Sequence, residues 1–329
     1  MRTFHAAVLL FALAVGERAV AHADPAQSEP LKGVEHFVQA GEIKIRIWEK
    51  SEGDAAGKPV IVLAHGSASS GQESFDLQVP DQPVTGEQLK AGQPSYSLMD
   101  YLAHAGFDVF ALDVRGFGRS THPDEGVTTV EAAIDLGSAV DYIERLRAVP
   151  KIGLLAWSWG TQYAGLYVGA HADKVSRYVS FAQMHAASPD LARRRLNLEA
   201  LRAKPYMTIP EANWKTRFVS LTPEAVNERR VIDAFAQAAS VAEAITPTGP
   251  QVDMCTKLPL VDPRSITVPV MMIHGQYDDV AGTDGLLPFF IALPNAHKKY
   301  VIVPDAGHMM QFQKGRGIFQ AEVGVFFKE

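Results

Sequence analysis

Apolar and polar positions along this chain follow two rhythms. Near the start, Ile43, Ile45 and Ile47 alternate with Lys44, Arg46 and Trp48. A period of two marks a strand with one buried face. With the run Gly33 to Ala40 before it and Ala40-Gly41 between, the pattern predicts an antiparallel hairpin. Further on, Val60 to Ala64 is a continuous β-branched run. Such a run predicts a strand buried on both faces, as in parallel sheets. Further strands are expected at Phe107 to Leu112, Ile152 to Ala156, Val175 to Phe181, Val268 to Ile273 and Lys299 to Val303. Helical spacing lies between them. It covers Tyr96 to Ala105, then a helix that opens on the capping box Thr128-x-x-Glu131 and reaches Arg147, and finally Gln311 to Phe327. Strands alternating with helices predict an α/β chain with a mostly parallel central sheet and helices on both faces.

Two stretches break this alternation. Residues 68–95 are polar and contain Pro80, Pro83, Gly86, Gly92 and Pro94. That is too long for an ordinary connection, so a lid or a substrate-binding loop is expected there. From 185 to 265 the strand signal disappears. Leu191, Leu196, Leu198, Leu201, Val231, Phe235 and Val241 sit among charged residues, with Pro205, Pro210 and Pro223 as breaks. This predicts short amphipathic helices forming a cap inserted into a core made of 24–184 and 266–329. The runs Arg193-Arg194-Arg195 and Glu228-Arg229-Arg230 read as solvated faces.

Composition narrows the setting. The chain has 329 residues, 47% hydrophobic and 21% charged, with a formal net charge of -6. No polybasic run suits nucleic acid or an anionic membrane, so neither is expected as a partner. The first residues carry Arg2, an apolar run from Phe4 to Val15, and Ala21-His22-Ala23. This predicts a secretory leader over 1–23 and a secreted or periplasmic protein. The apolar run is well short of the ~20 residues of a spanning helix, so stable membrane insertion is not expected. Cys255 is the single cysteine, which rules out a disulfide within the chain. It reads as a small buried hydrophobe.

Candidate chemistry gathers just beyond the predicted strand ends. Ser158 stands in Ala156-Trp157-Ser158-Trp159-Gly160, between a strand and a helix. Asp278 follows the strand that ends in His274-Gly275, and His308 follows the last strand in Asp305-Ala306-Gly307-His308. A nucleophile, a base that takes its proton and a carboxylate that orients the base are what acyl transfer needs. In an open α/β sheet, such strand ends converge on one crevice. Asp279 is a second candidate for the acid, with the Gly275-x-x-Asp278 spacing favouring Asp278. Asp113 and Arg115 are read as structural, His274 as a packing residue and His297 as a surface residue. No His, Asp or Glu cluster has metal-ligand spacing, so neither metal nor cofactor is expected.

Four strings together are more specific than any one of them. They are His65-Gly66, Asp113-x-Arg115-Gly116-x-Gly118-Arg119-Ser120, Ser158-Trp159-Gly160, and Gly275-x-x-Asp278 with Gly307-His308. In these the chain resembles the α/β-hydrolase superfamily, and within it the proline iminopeptidase-like and esterase-like branch with a helical cap. The order Ser158, Asp278, His308 is the order of that fold. The resemblance implies an oxyanion hole made by the backbone N–H groups of Trp159 and Ser67. Ala156 and Trp157 stand where the iminopeptidases have glycines, which turns the expectation from peptides towards esters and lactones. A serine at the elbow, rather than an aspartate, argues against haloalkane dehalogenases and epoxide hydrolases.

The substrate is therefore expected to be a small ester, lactone or short peptide. Candidate substrate-binding residues are His65, Gly66, Trp157 and Met184, with His65 also bracing its loop and Trp157 equally readable as core. Trp214, Phe218, Phe235 and Met254 belong to the cap, without an assigned face. Glu211, Glu224, Glu228 and Asp233 would be available to an aminopeptidase for gripping an ammonium group. A catalytically silent binding protein on the same fold, and acyl transfer to an alcohol instead of water, remain alternatives.

Overall fold

A computed structural model describes residues 31–80, 84–186, 188–218, 222–283 and 285–329. The expected leader over 1–23 lies outside the described residues. The strands are β1 (Val34–Ala40), β2 (Ile43–Ser51), β3 (Val60–Ala64), β4 (Asp108–Asp113), β5 (Ile152–Trp157), β6 (Val175–Phe181), β7 (Tyr206–Met207), β8 (Thr246–Pro247), β9 (Val270–Gly275) and β10 (Lys298–Val303). Eight of them form one sheet in the order β1-β2-β4-β3-β5-β6-β9-β10. β3, β4, β5, β6, β9 and β10 are mutually parallel, while β2 runs antiparallel to both β1 and β4. Every residue of β3, β4, β5 and β9 is buried, which explains why their sequences are mostly apolar rather than alternating, with Asp108, Asp113 and His274 as buried exceptions.

The helices are α1 (Gly71–Phe75), α2 (Gly86–Lys90), α3 (Leu98–His104), α4 (Thr129–Arg147), α5 (Gly160–Ala170), α6 (Pro189–Arg195), α7 (Leu198–Arg202), α8 (Glu211–Thr216), α9 (Arg229–Ala242), α10 (Gly249–Thr256), α11 (Leu286–Ala292) and α12 (Arg316–Lys328). The capping box at Thr128 forms as its spacing predicts, with both reciprocal hydrogen bonds to Glu131 present. α4 packs on α5, and α3 packs on α12. From β3 the chain passes to β4 on one side and returns to β5 on the other. This reversal opens a crevice at the carboxyl ends of β3 and β5, where open α/β sheets place their ligands.

In the stretch 68–95, Ala68 and Ser69 line the cavity beside Ser158 described below. The stretch contains α1 and α2 and buries Phe75, Leu77 and Leu89. Asp76 ties it to β2, accepting from Lys50 Nζ at 2.7 Å and from Trp48 Nε1 at 2.8 Å. Lys50 also donates to Asp100 at 2.9 Å. Asp76 is polar within the interior because it joins this buried ion pair, while Glu87, Gln88, Lys90 and Gln93 further along face solvent.

Between 185 and 265 the short helices appear as expected, with a small addition: β7 and β8 pair antiparallel. Leu191, Trp214, Phe218, Val231 and Phe235 fill the interior of this cap. Each fully buried side chain of this size stabilises by about 1.5–3 kcal/mol. Two apolar residues of the expected pattern face outward instead, Leu196 at 86% and Val241 at 79% exposure. The cap is fastened to the core by Glu243, whose carboxylate accepts from the backbone N–H of Ser70 at 2.7 Å and of Gly118 at 3.2 Å. The last helix starts at Arg316, later than its periodicity suggested. Gln311 and Gln313 before it are buried, and the Gln313 side chain is committed to a loop described below.

Candidate active site

β5 delivers Ser158 on a sharp turn. Its φ is 57°, a left-handed conformation that costs a non-glycine residue about 1–3 kcal/mol and must be held by its surroundings. Ser158 N donates to the Phe181 carbonyl at 3.0 Å, and the Ser158 carbonyl accepts from Thr161 N at 2.9 Å and Thr161 Oγ1 at 2.7 Å. Gly160 is required by close approach: a Cβ there would lie 2.6 Å from the Ala64 carbonyl oxygen and 2.7 Å from that of His65. Ala156, buried between β3 and β6, takes the place of the usual first glycine without conflict.

The loops after β9 and β10 bring the other two residues to Ser158. Gly275 lets them meet, since a Cβ there would lie 2.5 Å from the Gly307 carbonyl oxygen. Tyr277 N donates to the Ala306 carbonyl at 2.8 Å. Gln313 Oε1 accepts from Gly307 N at 2.6 Å, and Trp157 Nε1 donates to the His308 carbonyl at 3.1 Å. With its loop held this way, His308 places Nε2 at 2.9 Å from Ser158 Oγ. Its Nδ1 lies 3.0 and 3.1 Å from the two oxygens of Asp278. An ionised carboxylate only accepts, so Nδ1 carries the proton and Nε2 is left to accept from the serine hydroxyl. Asp278 Oδ1 also accepts from Val280 N at 3.0 Å and Ala281 N at 2.9 Å. Burial pushes its pKa up, but His308, the nearby His274 and the Ala281 amide outweigh burial and hold the carboxyl below its ordinary range. Asp279 turns away, 3.4 Å from Arg193.

The remaining expected residues divide. Gly66, Ser67 and Trp157 line, with Ser158 and His308, a cavity of about 500 Å³ roofed by Met207, Ile209, Trp214 and Phe235 of the cap. Among the described residues, the backbone N–H groups of Ser67 and Trp159 donate to no protein acceptor. The Trp159 ring is fully buried, its Nε1 donating to Thr129 Oγ1 at 3.0 Å, so only its backbone remains for the site. His65 is also buried away from the cavity. It donates from Nδ1 to the Gly66 carbonyl at 2.7 Å and accepts from Val114 N at Nε2, 3.2 Å away. Met184 is a correction: it is buried outside the cavity lining. Its backbone N donates to Thr161 Oγ1 at 3.0 Å, so it braces the serine turn from behind. Among the described residues, no group of three or more His, Cys, Asp or Glu side chains could hold a metal ion.

Residues 59–315 match the family model for the alpha/beta hydrolase fold. The chain belongs to that family. Three solved structures share the fold. An esterase from Exiguobacterium antarcticum is 17% identical, with a TM-score of 0.67 and 90% of this chain and 100% of that one covered. A thermophilic esterase from Thermogutta terrifontis, with malate bound, is 19% identical, with a TM-score of 0.62 and coverage of 90% and 98%. A Vigna radiata epoxide hydrolase mutant is 16% identical, with a TM-score of 0.61 and coverage of 90% and 99%.

This alpha/beta hydrolase also uses residues that its sequence did not single out. Thr161 and Gln313 hold the serine turn and the histidine loop through buried polar contacts. A buried polar side chain next to a motif was the available signal. Arg194, read as part of a solvated run, lines the cavity, as does Arg217.

Two further histidines of the hydrolase stay neutral. Burial pushes the pKa of His65 down to about 4, against a smaller opposing effect of its bond to Gly66. Burial does the same to His274, down to about 4, with Asp278 opposing and His308 adding. Both imidazoles are expected to give NMR signals that do not titrate between pH 8 and pH 5. A midpoint above pH 6 for either would contradict this. The sign for stability follows. Between about pH 6.5 and pH 4 the unfolded chain binds protons at these two sites that the fold does not. Their contribution to stability is therefore lost as the pH falls through that window.

Proposed function

We propose that this chain is a serine hydrolase that cleaves a carboxylic ester or a lactone through an acyl-enzyme on Ser158. One observation carries most of the reading: Ser158 Oγ lies 2.9 Å from His308 Nε2 at the wall of a cavity, with Asp278 on the far nitrogen. His308 takes the hydroxyl proton as Ser158 attacks the carbonyl carbon, and Asp278 stabilises the imidazolium. The N–H groups of Trp159 and Ser67 receive the oxyanion. His308 then returns the proton to the leaving oxygen, freeing the alcohol. Water attacks the acyl-enzyme by the same steps, giving the acid and restoring Ser158.

Esters are favoured over amino-terminal peptides for a local reason. None of Glu211, Glu224, Glu228 and Asp233 lines the cavity. The carboxylate that does, Asp190, is paired with Arg194 at 2.6 Å. An ammonium group would find no uncommitted carboxylate there among the described residues. Two structural neighbours are named as esterases, which agrees with this choice. The test is a screen on p-nitrophenyl acetate and butyrate, simple lactones, and aminoacyl anilides. Turnover of esters or lactones well above that of anilides is expected. Turnover of anilides alone would overturn the choice of substrate class.

A further inference from the structure

We propose that the cavity beside Ser158 contains an anion site, and that the ester it takes carries a carboxylate gripped by Arg217. This rests on the reading of the site as an ester hydrolase.

The lining of the cavity holds three charged side chains besides His308: Asp190, Arg194 and Arg217. Asp190 is paired with Arg194 at 2.6 Å and with Arg193 at 3.4 Å. Arg217 is left over. It follows α8 directly, and its guanidinium lies over the Trp214 ring, 4.8 Å from the centroid. Among the described residues it forms no ion pair and no side-chain hydrogen bond; Asp190 and Arg194 act on it only through their charge. Burial, with Arg194 adding and Asp190 opposing, pushes its pKa down to about 10, so it remains cationic at neutral pH. A half-buried cation without a counter-ion in a partly apolar wall is costly unless an anion arrives.

Trp214, on α8, also lines the cavity, and its ring lies under the Arg217 guanidinium and holds it at the wall. A charged donor in the cavity wall without an ion pair calls for an acceptor that the substrate brings. A carboxylate fits: it only accepts, and it matches the planar fork of a guanidinium. Asn213, Thr216 and Gln251, also in the lining, add neutral polar groups but no competing charge.

Matched ester pairs test this, with the charge on either side of the scissile bond. The mono-p-nitrophenyl ester of glutaric acid is compared with p-nitrophenyl pentanoate, and 4-acetoxybenzoate with phenyl acetate. At least one anionic ester is expected to exceed its neutral partner in kcat/KM by about 10- to 100-fold, the range for hydrogen bonds to a charged group. The pair that responds tells whether the carboxylate lies on the acyl or the alcohol side. In Arg217→Gln that preference should collapse, mainly through KM, and Arg217→Lys should restore part of it. Arg264→Gln, an exposed arginine paired only with Asp262, should keep the wild-type ratio. Glutarate binding by calorimetry separates this proposal from the hydrolase reading. Equal rates within both pairs, or a preference that survives Arg217→Gln, would overturn the anion site and leave the hydrolase reading standing. No turnover of any ester, with glutarate bound by the wild type and not by Arg217→Gln, would keep the anion site and overturn the hydrolase reading. No turnover and no glutarate binding would overturn both.

Discussion

Ser158→Ala is expected to lower kcat for a short-chain ester by about 10⁴- to 10⁶-fold while leaving the fold in place. The loss is large because, in the proposed mechanism, the serine oxygen bonds to the acyl carbon, and no other hydroxyl approaches His308 Nε2 among the described contacts. What rate remains would come from the cavity and the oxyanion donors acting on water. The fold should tolerate the change. The strained φ of 57° is paid by backbone hydrogen bonds at Ser158 N and its carbonyl, which alanine keeps. A fluorophosphonate should therefore add once to the wild type, on the peptide carrying Ser158, and not to the variant. A variant with a native melting temperature and undiminished turnover would sink the acyl-enzyme mechanism.

Asp278→Asn is expected to cost about 10⁴-fold in kcat, with Asp279→Asn far milder. The geometry gives the reason. Asp278 Oδ1 accepts from the amides of Val280 and Ala281, and an asparagine oxygen can keep both bonds. Its amide nitrogen then faces His308 Nδ1, where the carboxylate oxygens now stand at 3.0 and 3.1 Å. An N–H donor there forces the imidazole into the other tautomer, with its proton on Nε2. That nitrogen can no longer accept the proton of Ser158. Asp279 instead faces Arg193 and not His308, so its charge takes no direct part in orienting the imidazole. Steady-state kinetics on the two variants, at matched thermal stability, decides the matter. If Asp279→Asn were the more damaging, the acid would have to be reassigned.

Much of this molecule could be read from the chain itself, for reasons that are local. A continuous apolar run becomes a central strand because both of its faces must be covered, and Val60 to Ala64 is a buried strand over that full span. Thr128 and Glu131 meet because a helix start places them within reach of each other's backbone N–H. Ser158, Asp278 and His308 could be picked out because each follows a strand end, and parallel strands send those ends to one edge of the sheet. The glycines at 160 and 275 are legible in the same way, since backbones crossing at an edge leave no room for a Cβ.

What the chain did not disclose depended on partners distant in sequence. Residues 68–95 read as a lid or a substrate-binding loop, and nothing in that stretch alone showed that Asp76 would meet Lys50, which also binds Asp100, in a buried cluster. Arg194 looks like one of three equivalent surface arginines until α6 turns it into the cavity beside Asp190. Met184 follows a strand end as Ser158, Asp278 and His308 do, but its side chain is buried in the core while its backbone N–H donates to Thr161. Trp157 and Trp159 flank the same serine, yet the first lines the cavity and the second fills the interior. Local periodicity sets which segments are strands and helices. The direction of a single side chain at a turn, and whether a polar group finds its counter-charge, are decided only when elements far apart in the chain pack together.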